Sequence, residues 1–297
     1  MNRNPIGVID SGVGGLSIFK EIAKILPNES FIYIGDSKNC PYGNKSSREI
    51  YRLSKRLIEF LLKKKAKIIV IACNTITVSS LENLRKDFPQ IPIIGTVPVI
   101  KTASKLTKNG RIGILSTEQT AKSRYQKDLI KKFGRGLKVI NLGTDKLVPL
   151  IEQAWGPVAG FLPTSARSKY SVSRNNSLRA VGNPSTRATP LDIKNILNQE
   201  LKLFQDFGID TLVLGCSHFP FLKKEIRQIL DKNVQILDSS GAIARQTKRV
   251  LISENLISEY NNPVNTFYTT GELEKFKYVA GKLLEFDEKV KWQKTRL

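Results

Sequence analysis

Two cysteines in this chain have matching surroundings. Ile71-Ala72-Cys73-Asn74-Thr75 parallels Leu214-Gly215-Cys216-Ser217-His218, so each thiol ends an apolar run and precedes a small polar residue. A buried core cysteine is the alternative for either one alone. A repeat-related pair at equivalent strand ends points instead to function. His218, the one histidine of the chain, lies two residues past Cys216 and shares its side of an extended segment. An adjacent imidazole can activate a thiol; the other reading of His218 is a packed core residue. A free thiol titrates at about 8.5, so modest tuning leaves one thiolate and one thiol near neutral pH. Two such groups facing each other across a cleft can take a proton from one face of a carbon and return one to the other, inverting a stereocentre.

A third feature is the cluster Asp10-Ser11-Gly12-Val13-Gly14-Gly15. It does not fit a dinucleotide-binding turn, because the third glycine of G-x-G-x-x-G would fall at position 17, which is Ser17. Its glycines still allow backbone N–H groups at a helix start to approach an anion. Asp10 brings a carboxylate to the same turn, with helix N-cap as its alternative role.

The elements that must position these residues are legible as apolar runs ending in Gly, Asp, Asn or Ser: 6–9, 31–34, 67–72, 91–94, 111–115, 137–142, 211–214 and 234–237. They alternate with helix-like stretches, the pattern of a parallel α/β sheet. Their near-continuous Val, Ile and Leu content predicts helices on both faces. Ligands of such sheets bind beyond the carboxyl ends of the strands, where Asp10, Cys73 and Cys216 fall. Ile6-Gly7-Val8-Ile9-Asp10-Ser11 also recurs as Ile112-Gly113-Ile114-Leu115-Ser116-Thr117, which implies two similar halves. Gly7 to Cys73 spans 66 positions and Gly113 to Cys216 spans 103, so the second half is longer. The surplus is a stretch without Asp or Glu between Gln153 and Leu191, rich in Ser, Asn, Arg, Gly and Pro. Its composition predicts an inserted, disordered loop over about 156–188. Thr189-Pro190-Leu191-Asp192 then opens a helix that stops before Gly208.

The 297 residues suggest roughly two domains. The apolar runs are far shorter than the roughly 20 residues of a membrane span, and no secretory leader opens the chain, so a cytoplasmic protein is expected. Three cysteines, including Cys40, are too few and too scattered for a disulfide framework or a close-spaced zinc motif. There are 48 Lys and Arg against 26 Asp and Glu, a formal net charge of +22. The basic residues are spread out, and the one run of three, Lys63-Lys64-Lys65, reads as a solvated face. No RNA- or DNA-binding signature accompanies them.

With these residues the chain resembles the cofactor-independent glutamate racemases of the aspartate/glutamate racemase superfamily. The likeness runs from Ile6 to Phe286 apart from the loop. It rests on Asp10 to Ser17, Pro41-Tyr42-Gly43, Ala72-Cys73-Asn74-Thr75, Leu147-Val148-Pro149-Leu150-Ile151-Glu152, Gly215-Cys216-Ser217-His218-Phe219-Pro220 and Phe267-Tyr268-Thr269-Thr270-Gly271. The resemblance implies an α/β protein of two similar domains, with mainly parallel sheets flanked by helices and the active site in the cleft between them. Residues 1–97 plus 239–297 would form one domain and 98–238 the other. It implies catalysis by Cys73 and Cys216, assisted by Asp10, Glu152 and His218. Substrate contacts would come from Asp10, Ser11, Tyr42, Gly43, Asn74, Thr75, Ser217 and His218, with Thr117 and Thr120 as carboxylate partners and Asp10 receiving the ammonium group. The implied reaction is interconversion of L- and D-glutamate for peptidoglycan, with no cofactor or metal, in a homodimer.

Some features depart from the family pattern. Ser217 stands where threonine is usual, which keeps the hydroxyl. Cys40 has no role in the pattern and reads as a bystander. The inserted loop starts just after Glu152-Gln153-Ala154-Trp155, where it could displace Glu152. An aspartate racemase is the rival within the superfamily. A regulator contacting DNA or DNA gyrase is the rival of another class, suited to the net charge and a basic loop.

Overall fold

A computed structural model describes residues 3–96, 98–154, 190–259, 261–284 and 290–297. In order, these form β1 (Ile6–Asp10), α1 (Leu16–Ile25), β2 (Phe31–Gly35), α2 (Ser47–Lys63), β3 (Ile68–Ile71), α3 (Asn74–Asp87), β4 (Ile93–Gly95) and α4 (Ile100–Leu106). There follow β5 (Arg111–Ser116), α5 (Glu118–Lys122), α6 (Arg124–Phe133), β6 (Lys138–Gly143), α7 (Leu147–Ala154), α8 (Pro190–Phe207) and β7 (Thr211–Gly215). A short 3-10 turn (Phe219–Leu222) leads to α9 (Lys223–Ile229), β8 (Gln235–Leu237), α10 (Ser240–Ser253), β9 (Asn265–Thr269), α11 (Leu273–Leu284) and β10 (Val290–Lys294).

The strands make two sheets, one of order β10-β9-β2-β1-β3-β4 and one of order β6-β5-β7-β8. Every pair is parallel. The α/β reading is therefore correct, and all eight expected strands form. Two more, β9 and β10, extend the first sheet. Their polar and charged residues (Asn265, Thr266, Lys291, Lys294) hide them from a search for apolar runs, and β10 lies at an edge where lysine is common.

Alternation along β1 shows how the sheet is covered. Ile6 and Val8 face a core shared with α1, α10 and α11, while Ile9 faces α2 and α3. Helix α2 begins at a Ser46 N-cap, whose hydroxyl accepts from the Glu49 N–H, and Glu49 supplies the acid of the first turn. Its Ile50, Leu53, Leu57 and Leu61 then recur at helical spacing and are buried. Gly7 has a packing reason, since a Cβ there would come within 2.7 Å of Leu61 on α2. The repeat-related Gly113 does the same against Phe204 on α8, at 2.7 Å. The two halves thus share strand order and the glycine that seats the helix before each cysteine-bearing strand.

The helix resuming near residue 190 is α8, whose Ile193, Leu197, Leu201 and Phe204 are buried. The loop expected over 156–188 lies outside the described residues. Lys63, Lys64 and Lys65 are exposed at the end of α2, as expected. Among the described residues, no helix is long and apolar enough to cross a membrane.

Candidate active site

Parallel pairing puts the carboxyl ends of β1 and β3 in line, and likewise those of β5 and β7. Both pairs open onto one pocket. It is lined by Ser11, Tyr42, Gly43, Cys73, Asn74, Thr75, Thr117, Cys216, Ser217 and His218, together with Pro41, Asp145 and Val148. The free space is about 10 Å³, roughly one water molecule.

The two thiols are supported differently. Cys73 is the N-cap residue of α3, and its Sγ lies 3.6 Å from the Ser11 hydroxyl. Burial pushes this thiol up to about 12, with the nearby Asp10 carboxylate acting in the same direction; the Ile76 N–H and Ser11 hydroxyl oppose this but do not prevail. Cys216 follows β7, and its Sγ lies 3.9 Å from His218 Nδ1.

His218 is fully buried, and its Nε2 is 2.7 Å from Glu152 Oε1. Burial works against its charged form, yet hydrogen bonds with Cys216, Cys40 and Glu152 outweigh that and hold the imidazole well above its usual range. Glu152 shows the reciprocal effect. Burial raises it, but the His218 contact and the Val13 N–H, donated at 2.9 Å, bring the carboxyl below the usual range. Glu152 is therefore seated against the glycine turn, and the anion held at that turn is this carboxylate.

Close approach explains the glycines. A Cβ at Gly12 would lie 2.1 Å from Glu152 Oε1, and one at Gly14 would lie 2.3 Å from His218 Nδ1. Asp10 is not an N-cap, because α1 starts at Leu16 with Gly15 in the cap position. Its Oδ1 accepts from Gly12 N–H and its Oδ2 from the Ser217 hydroxyl, each at 2.9 Å. Asp10 thus lies beneath the pocket lining, with burial raising its carboxyl above the usual range despite the His218 charge.

In the same pocket, hydroxyls that follow strands of both sheets meet. Thr75 Oγ1 is 3.0 Å from Thr117 Oγ1, which donates to Thr120 Oγ1 at 2.9 Å. The Thr117 hydroxyl also caps α5 by accepting from Thr120 N–H. Asn74 is 2% exposed, and neither polar atom of its amide has a partner among the described residues. A buried amide left unpaired is costly, and one on a pocket wall offers a donor and an acceptor to a ligand. Tyr42 spends its O–H on Asp36 at 2.6 Å, within a network that includes Thr270.

Three contributors escaped sequence reasoning. Asp145 lines the pocket and sits against Gly43, where a Cβ would be 2.4 Å from its Oδ1. Tyr33 donates to Gly12 O at 2.7 Å and steadies the turn. Cys40, read as a bystander, instead stands beside Glu152 and His218, their ligand atoms all within 4.8 Å of one another. No local pattern could reveal a cluster drawn from such distant positions.

The profile of the Asp/Glu/hydantoin racemase family matches residues 6–157. A glutamate racemase of Clostridium perfringens is 38% identical over 286 residues, covering 96% of this chain and 98% of that protein. The crystal structure of a glutamate racemase isoform from Bacillus anthracis superposes with a TM-score of 0.78 at 30% identity, covering 98% of this chain and 97% of that one. A glutamate racemase from Francisella tularensis in complex with D-glutamate gives 0.75 at 28% identity, with 98% and 97% covered.

Proposed function

The chain belongs to the Asp/Glu/hydantoin racemase family, and from that premise we propose that this amino-acid racemase interconverts L- and D-glutamate by a two-base cysteine mechanism. One observation carries the proposal: Cys73 and Cys216, at repeat-related strand ends, line one pocket. Cys73 resides in surroundings that favour its thiol, which suits it to donate a proton in the resting enzyme. The role of base then falls to Cys216, with His218 as its proton partner and Glu152 fixing the imidazole. After one turnover the sulfurs have exchanged protonation states. The reverse reaction restores them.

Glutamate fits the polar inventory. The Thr75/Thr117 hydroxyls, the Asn74 amide and Ser11 supply donors for two carboxylates, and Asp145 or the Asp10–Ser217 pair supplies acceptors for an ammonium group. Entry requires the strand-end loops of the two sheets to part, since the closed pocket admits about one water. We carry into the same proposal the two-domain division at 1–97 plus 239–297 and 98–238, supported by the two separate sheets. The homodimer and the supply of D-glutamate for peptidoglycan belong to it through the resemblance.

Racemisation in deuterated water tests the two-base step. Early in the reaction, product is expected to carry solvent deuterium while recovered substrate does not. Equal labelling of both would mean one shared base. Parallel assay with L-aspartate decides the substrate, and faster aspartate turnover would overturn the glutamate assignment.

A further inference from the structure

Behind His218, on the side away from the candidate substrate pocket, Cys40 completes a second constellation. Its thiol, the Glu152 carboxylate and the His218 imidazole bring sulfur, oxygen and nitrogen within 4.8 Å of one another. The shortest separation is the 2.7 Å between Glu152 Oε1 and His218 Nε2. A tetrahedral zinc ion bound by Cys, His and a carboxylate holds such atoms about 3.3–3.6 Å apart, given bond lengths of about 2.0–2.3 Å. Rotations of a fraction of an ångström to about an ångström would bring the three groups to that spacing. Gly12 leaves the room: a Cβ there would meet Glu152 Oε1 at 2.1 Å and Cys40 Sγ at 3.2 Å. Cys40 and Glu152 also line a cavity of about 910 Å³ that is separate from the pocket of Cys73 and Cys216. It offers an entry path and space for a water as fourth ligand.

We propose that Cys40, Glu152 and His218 form a zinc-binding site through which the metal inhibits the enzyme. A thiolate, an imidazole and a carboxylate suit zinc in ligand type, and three protein ligands with one open position are an ordinary zinc arrangement. The metal takes a thiolate and a neutral imidazole, so any proton on Cys40 Sγ or His218 Nε2 leaves to solvent as it binds.

Inhibition follows from the imidazole. With Nε2 on the metal, Nδ1 keeps its hydrogen towards Cys216 and cannot exchange protons with it. The metal lies outside the substrate pocket, so kcat should fall while KM stays. The effect on catalysis rests on the racemase reading, whereas the metal site itself does not.

The test uses the full chain with free zinc set by a metal buffer, and cobalt as a spectroscopic probe. Wild type is expected to bind one ion and to show a thiolate-to-cobalt charge-transfer band. Cys40→Ala and Cys40→Ser should lose the band and bind zinc about 100-fold or more weakly. Failure of wild type to bind one ion would overturn the proposal. So would an unchanged cobalt band or unchanged zinc inhibition in Cys40→Ala, which would assign the metal to Cys73 and Cys216. If the protein racemises neither amino acid, the cobalt band still decides the site.

Discussion

Glu152 holds His218 through a 2.7 Å contact between Oε1 and Nε2, which leaves Nδ1 directed at the Cys216 sulfur 3.9 Å away. The pair sets the protonation of the imidazole from the side remote from substrate.

This pairing has a definite pH signature. His218 is raised in the folded protein, so its contribution to stability is fully present below its unfolded pKa of about 6.5 and is lost as pH climbs through the raised value. Glu152 is lowered, so its contribution is present above about 4.3 and is lost as pH falls through the depressed value. Glu152→Gln should flatten the alkaline decline in Tm relative to wild type. It should also reduce kcat about tenfold or more by loosening the imidazole. Thermal melts from pH 5 to pH 9 check this, and an identical alkaline limb in both proteins would contradict it.

Gly14→Ala isolates the close packing of the turn. The new Cβ would fall 2.3 Å from His218 Nδ1 and 2.6 Å from Ser217 Oγ, while the backbone at Gly14 lies outside the left-handed region. We expect a stability loss of about 1–3 kcal/mol and a fall in kcat of about 100-fold. Gly136→Ala is the control: its Cβ would meet nothing among the described residues within 4 Å, and its φ of +76° makes the cost one of backbone. That variant should lose about 1 kcal/mol and keep its kcat.

Asn74→Ala should separate binding from folding. The amide has no partner among the described residues, so its removal relieves a desolvation penalty of about 1–3 kcal/mol, set against the small cavity left behind. Urea unfolding is expected to show little loss or a gain, with KM for glutamate rising about tenfold or more. A large loss of stability with unchanged KM would mean the amide serves the fold.

Lys67 and Glu29 form an ion pair at 2.6 Å with both side chains 1% exposed, and Glu29 also accepts from Ser258 N–H. Lys67→Met leaves the carboxylate buried without its cation and should cost about 3–5 kcal/mol. The double variant Lys67→Met/Glu29→Gln should recover part of that in urea melts. The kcat of folded Lys67→Met should match wild type.

How much of this was readable from the chain depends on the range of the interaction. The first eight strands are marked by apolar runs whose burial on both faces leaves no room for polar residues. The cysteine pair is legible because Gly7 and Gly113, and the segments ending in Cys73 and Cys216, repeat the same local design. Strands β9 and β10 are missed because pairing at and near a sheet edge tolerates Asn265, Thr266, Lys291 and Lys294. Cys40 is missed for another reason: its approach to Glu152 and His218 is a product of tertiary packing around Gly12, which no spacing encodes. Glu152 is not displaced by the segment that follows it, since it bonds both Val13 and His218.

The central claim is that one of the two cysteines removes the proton from the stereocentre while the other delivers a proton to its opposite face. The most direct measurement follows the circular dichroism of L-glutamate with metal-stripped enzyme, without pyridoxal phosphate, in wild type, Cys73→Ser and Cys216→Ser. The account predicts decay of the signal to zero in wild type and rates slower by about 1000-fold or more in each variant. Either variant racemising within about tenfold of wild type would contradict it.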